Sequence, residues 1–191
     1  MLKTEPLFAA LLDASPEHAH LESPVLASRA RALGTALGKA QIGIMARIGS
    51  PLVSTALGAC RDAGCLPIAF SPAGSLTEHT QAFRLPLAPG ALVCTGRGAL
   101  GADIVSLQSA NAIVVLGSNP DGFEHVLTLA KDTMLPIGIL TDEAPASIHE
   151  RVRARSARLT PLLLISNDPA ILVREISAEL RRRGLALKNP R

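Results

Sequence analysis

Residues 41–70 read QIGIMARIGSPLVSTALGACRDAGCLPIAF, and their pattern sets the reading of the whole chain. Gln41–Ala46 is apolar with little polar alternation, as strands covered on both faces are. Arg47-Ile48-Gly49-Ser50-Pro51 follows as a turn. Pro51–Ala63 has helical spacing and stops at Gly64, a residue suited to the position after a helix end. Leu66–Phe70 is a second apolar run. The stretch is one strand–turn–helix–strand unit.

The same rhythm extends in both directions. Leu7–Leu12, Ala91–Cys94, Ala112–Leu116, Pro136–Leu140 and Leu162–Ile165 are further apolar runs of strand length. Leu7–Leu12 also suits a helix, because Ala and Leu favour one. Between the runs, Pro24–Gly38, Asp103–Ala110, Phe123–Thr133 and Ala144–Ala154 have helical spacing. Ser23 stands where an N-cap belongs, with Pro24 at the first helical position. Asp168 caps Pro169–Arg183, Gly184 ends it, and Arg181, Arg182 and Arg183 suit the negative end of its dipole. Strand–helix alternation predicts an α/β fold of the Rossmann-like, doubly wound kind. The expectation is a mostly parallel sheet of six or seven strands, with helices on both faces and one domain over residues 1–191.

Composition narrows the function. The chain has 191 residues, 48% hydrophobic and 18% charged, which excludes intrinsic disorder. It has four Phe and no Trp or Tyr, so a nucleic-acid surface built on stacked aromatics is not expected. Net charge is +3, but residues 151–191 hold ten Lys/Arg against three Asp/Glu, leaving −4 for the first 150. That basic end reads as solvated surface, with phosphate or an acidic partner as the alternatives. Cys60, Cys65 and Cys94 are odd in number and form no Cys-x-x-Cys pair. A disulfide framework and a zinc site are not expected. The histidines, His79 among them, read as surface or packing residues, and no metal or cofactor is expected. No run reaches the length of a membrane span and no signal peptide is evident, so a cytoplasmic protein is the expectation.

Ligands of doubly wound sheets sit beyond the carboxyl ends of the strands. Three loops there carry chemistry. Gly49 and Ser50 precede a helix and offer backbone N–H groups to an anion. Thr95, Gly96, Arg97 and Gly98 form a glycine-rich loop whose Arg suits a phosphate or carboxylate. Gly117, Ser118, Asn119 and Gly122 belong to a polar loop that also holds Glu124 and His125, both able to move protons. Each loop has a plain alternative: a strand–helix turn that binds nothing, a tight turn with a solvated Arg97, and an Asn-Pro-Asp-Gly turn with Asp121 as helix cap.

Three stretches resemble one family. Ser54–Pro72 is similar to a helix of the form A-x-x-G-A-x-x-A-G-G followed by a strand ending in Pro. Thr95–Gly98 through Ser109–Gly117 resembles a segment ending R-S-A-D-A-x-I-x-x-G-G. Leu135–Leu140 resembles a G-K-P-V-I-G-L strand. In this order they look like the Lonely Guy (LOG) family of the SLOG superfamily, once labelled lysine decarboxylases. The resemblance implies a Rossmann-like nucleotide-binding domain, a homodimer formed through helices, and cleavage of cytokinin nucleotides or AMP by a phosphoribohydrolase. The family loop P-G-G-x-G-T-x-x-E meets Gly117–His125, where only Gly117 and Gly122 match its glycines. Glu124 falls two positions early if Gly117 is the second glycine of the motif's pair. No basic residue occupies Gly101-Ala102-Asp103, where the family has an Arg-Asn or Arg-Lys pair, although Arg97 is close in sequence.

The expected function is therefore a LOG-like protein binding a nucleotide or other phosphorylated small molecule, with degenerate catalytic signatures. One alternative is an active hydrolase using Glu124 and Arg97. Another is an interaction protein with a vestigial pocket.

Overall fold

A computed structural model describes residues 6–14, 24–83, 90–117, 127, 128, 130, 133–155 and 162–185. The strands are β1 (Leu7–Asp13), β2 (Ile42–Arg47), β3 (Ile68–Ser71), β4 (Ala91–Cys94), β5 (Ala112–Leu116), β6 (Ile137–Leu140) and β7 (Leu163–Ser166). The helices among the described residues are α1 (Pro24–Lys39), α2 (Pro51–Asp62), α3 (Leu76–Phe83), α4 (Gly98–Gln108), α5 (Pro145–Arg155) and α6 (Pro169–Arg182). The sheet runs β4-β3-β2-β1-β5-β6-β7, and every neighbouring pair is parallel. The chain winds from β1 outward to β4, then returns across β1 to start again at β5. The reversal makes β1 and β5 neighbours and puts the topological switch between them.

Alternation of side chains sorts the core. Leu7, Ala9 and Leu11 of β1 face the same layer as Ile42, Ile44 and Ala46 of β2, under α1, α2 and α6. Ala10 and Leu12 face the other layer, with Ile113, Val115, Ile137 and Ile139, under α5 and the helical residues Leu127 and Ala130. Met45 and Phe70 meet α4 through Ala102 on that second side. Both faces are covered, which is why the strands read as continuous apolar runs.

Helices α1 and α2 pack unusually closely. A Cβ on Gly34 would lie 2.2 Å from the carbonyl oxygen of Ala56, so only glycine allows this approach. The small-residue faces of these helices are thus spent on each other within one chain.

Two helices differ from the sequence reading. The first, α3, is absent from the sequence reading, although Ser75 caps it and Glu78 reaches back one residue beyond the cap: Glu78 N donates to Ser75 Oγ (3.1 Å) and Gly74 N to Glu78 Oε2 (2.8 Å). Its His79 is buried, bonded through Nδ1 to Ser71 Oγ (3.0 Å) and set against Phe83, and so is a packing residue. The second, α4, starts at Gly98 rather than Asp103, so part of the expected glycine-rich loop is its first turn. Glycines disfavour helix by propensity, but here packing of Ala102 and Leu107 overrides it. Ser23 and most of the expected Phe123–Thr133 helix lie outside the described residues.

Candidate functional site

All seven parallel strands end at one edge, and the switch places the ends of β1 and β5 side by side. Asp13 pairs in register with Leu116, and Ala14 N donates to Leu116 O (2.9 Å). Asp13 ends an apolar strand on the α2 side of the sheet. Its Oδ2 accepts a very short hydrogen bond from Ser50 Oγ. Ser50 is the N-cap of α2, and its Oγ accepts from Val53 N (3.3 Å).

Arg47 ends β2 and points to the opposite side, toward α4. Its Nε lies 3.0 and 3.1 Å from the two carboxylate oxygens of Asp103. Asp103 is buried, whereas Arg47 keeps about a third of its side-chain surface exposed (36% against 8%). The buried carboxylate therefore fixes one nitrogen of the guanidinium. Nη1 and Nη2 have no partner among the described residues, and Nη1 reaches over Gly49. Gly49 adopts φ +127°, a conformation that side chains resist. The turn leaves the N–H groups of Gly49 and Ser50 without an acceptor among the described residues. Two N–H groups, a helix N-terminus and a partly exposed guanidinium thus lie close together, a combination suited to an anion.

The β6 side of the switch adds another cation. Arg29 of α1 donates through Nη1 to the carbonyl oxygen of Thr141, just past β6 (2.7 Å). Gly117 is beside it, and its N–H is committed to Leu140 O (2.9 Å).

The expected site residues divide by position. Gly49, Ser50 and Gly117 converge on the switch. Thr95, Gly96, Arg97 and Gly98 share the edge but follow β4, three strands away from β1, or about 14 Å at the usual strand spacing. Their backbone is also engaged. Thr95 N and Oγ1 both donate to Ser71 O (2.9 and 2.8 Å), Gly96 N to Ala73 O (2.9 Å), and Gly98 N to Pro72 O (3.4 Å). Arg97 is exposed, with no side-chain bond among the described residues. Ser118, Asn119, Gly122, Glu124 and His125 lie outside the described residues.

Sequence reasoning missed Asp13, Arg29 and the Arg47–Asp103 pair. A signal existed for two of them: Asp13 and Arg47 are the charged residues that close two apolar strands, where the crevice of such a sheet opens. Nothing local marks Arg29 or Asp103, because their roles depend on contacts 112 and 56 residues away.

Among the described residues, no three His, Cys, Asp or Glu side chains converge as a metal site, and no helix is long and apolar enough to cross a membrane.

No family model matches the sequence, and no curated protein matches it. Solved structures do. The molybdenum cofactor carrier protein of Chlamydomonas reinhardtii superposes with a TM-score of 0.71 at 17% identity, over 93% of this chain and 99% of that one. The molybdenum cofactor binding protein of the phototrophic bacterium Rippkaea orientalis gives 0.69 at 16% identity, over 96% of this chain and 100% of that one. At such identities the likeness concerns the fold. It agrees with the Rossmann-like α/β architecture, and the specific LOG assignment gains no support from it.

Proposed function

We propose that this protein binds a small anionic molecule across the β1/β5 switch and carries it without transforming it. The observation that carries this reading is Arg47. A buried Asp103 holds its guanidinium over the Gly49–Ser50 turn, leaving two nitrogens and two backbone N–H groups for an anion. Asp13, on the other side of the sheet edge, accepts hydrogen bonds and repels negative charge. The fitting ligand therefore has O–H or N–H donors at one end and an anionic group at the other. A phosphorylated small molecule with a polar ring system meets both demands, and a nucleotide is one such molecule. The structural neighbours named for the molybdenum cofactor make that cofactor the first cargo to test.

The test is a thermal-shift series with AMP, inorganic phosphate and a fraction containing the molybdenum cofactor. A ligand at about a hundred times its Kd stabilises by about 2.7 kcal/mol. That raises Tm by roughly 5–10 °C for a chain of this size. AMP or the cofactor fraction is expected to stabilise more than phosphate alone, since phosphate cannot engage Asp13. No stabilisation by any of the three removes the reading. Release of adenine from AMP, lost in Glu124→Gln, replaces it with the hydrolase.

A further inference from the structure

We propose that Cys60 and Cys65 form an oxidisable dithiol that closes to a disulfide on exchange with a low-molecular-weight disulfide. At the end of α2, away from the proposed anion site, Cys65 N donates to Cys60 O (3.2 Å) and Gly64 N to Arg61 O (2.8 Å). Gly64 has φ +91°. This is the paired hydrogen bonding of a Schellman turn, which brings the side chains at its two ends into contact. Cysteine occupies both ends. The 6→1 bond holds their Cα atoms near the roughly 4.4–6.8 Å that a disulfide spans. Cys60 Sγ lies 3.9 Å from Ile42 O and Cys65 Sγ 3.6 Å from Gly38 O, so both thiols occupy the junction of α1, α2 and the start of β2.

The two thiols differ in the way exchange chemistry requires. Cys65 is partly exposed, whereas Cys60 is buried. A hydrogen bond from Cys60 favours the Cys65 thiolate and brings its pKa down to about 7. The same contact, with burial, pushes the Cys60 thiol up. A thiol with a pKa near ambient pH is an effective attacking group. Cys65 thiolate attacks one sulfur of the reagent, and one thiolate leaves. Cys60 then gives its proton to solvent and displaces the second thiolate from Cys65. The protein loses two protons and two electrons, and the reagent departs as two thiols. Cys94, partly exposed and far along the chain at the end of β4, is the internal control.

The test is intact mass and peptide mapping after treating the native protein with oxidised glutathione near neutral pH. The expected wild-type product lacks two hydrogens and carries a Cys60–Cys65 cross-linked peptide, with no lasting adduct on Cys65. Cys60→Ser is expected to trap the glutathione adduct on Cys65. A stable Cys65 adduct in the wild type overturns the proposal. So does an unreacted Cys60–Cys65 pair while Cys94 is modified. The wild-type result decides the matter even if Cys60→Ser does not fold.

Discussion

Ser50 donates its hydroxyl proton to the Asp13 carboxylate while accepting from Val53 N, so one side chain caps α2 and ties it to the end of β1. The bond fixes the helix that presents the Gly49–Ser50 N–H groups to the crevice. It also keeps Asp13 at the switch in a set direction. Position and charge are thereby coupled at the point where the sheet reverses its winding.

Ser50→Ala removes both bonds. The expected loss is about 0.5–2 kcal/mol, the range for deleting a helix cap. Ser50→Asn keeps the capping function and is expected to lose less. Urea unfolding of the three proteins checks the order, and an unchanged midpoint in Ser50→Ala contradicts it.

Arg47→Met leaves the buried Asp103 carboxylate without its guanidinium. A hydrogen bond to a charged group contributes about 1.5–3 kcal/mol, and a loss of that size is expected. Adding Asp103→Leu removes the buried charge itself and is expected to restore part of the stability. Denaturation of both variants tests the coupling. Strictly additive losses are the contrary result.

Gly34→Ala and Gly58→Ala separate close packing from helix propensity. A Cβ at position 34 would meet Ala56 O at 2.2 Å, whereas one at position 58 meets nothing within 4 Å. Gly34→Ala is expected to destabilise by about 1–3 kcal/mol through overpacking. Gly58→Ala is expected to stabilise by about 0.5–1 kcal/mol, the cost of glycine in a helix interior. Equal Tm values for the two variants count against the packing described for α1 and α2.

Glu179 gives a pH dependence. A hydrogen bond from Arg183 (2.7 Å), helped by the charges of Arg182 and Arg183, holds its carboxyl below the ordinary 4.5. A depressed carboxylate contributes stability above its unfolded value and loses it as pH falls through its folded value. The Tm of the wild type is therefore expected to exceed that of Glu179→Gln at neutral pH. The gap is expected to close as the solution is acidified below about 4.5. A gap that stays constant into acid assigns the difference to packing rather than charge.

The sequence made the sheet legible because its strands are buried on both sides. Gln41–Ala46 and Ala112–Leu116 have no competing helical period, and they appear as β2 (Ile42–Arg47) and β5 at the expected positions. Asp168, Pro169 and Gly184 also mark the bounds of α6: Asp168 Oδ1 accepts from Ala170 N (2.7 Å), and Gly184 has φ +77°. Helix α3 was less legible because only one of its eight residues, His79, is buried, so no apolar stripe announces it. The site was half legible. Gly49–Ser50 is a local turn and can be read from a few residues. Which turns share a crevice depends on strand order, and neither the separation of Thr95–Gly98 from the switch nor the Arg47–Asp103 pair follows from local spacing.

Arg47 and the Gly49–Ser50 turn are proposed to hold an anionic cargo. The most direct measurement is protein-bound molybdenum after incubation with a cofactor-containing fraction and gel filtration, alongside calorimetry with AMP. Wild type, Arg47→Met and Arg97→Ala would be compared, each shown to be folded by circular dichroism. Wild type and Arg97→Ala are expected to retain the same ligand, whereas Arg47→Met is expected to lose at least about tenfold in affinity, equivalent to about 1.4 kcal/mol. Ligand retained by Arg47→Met and lost by Arg97→Ala would contradict this assignment and move the site to the β4 end of the sheet.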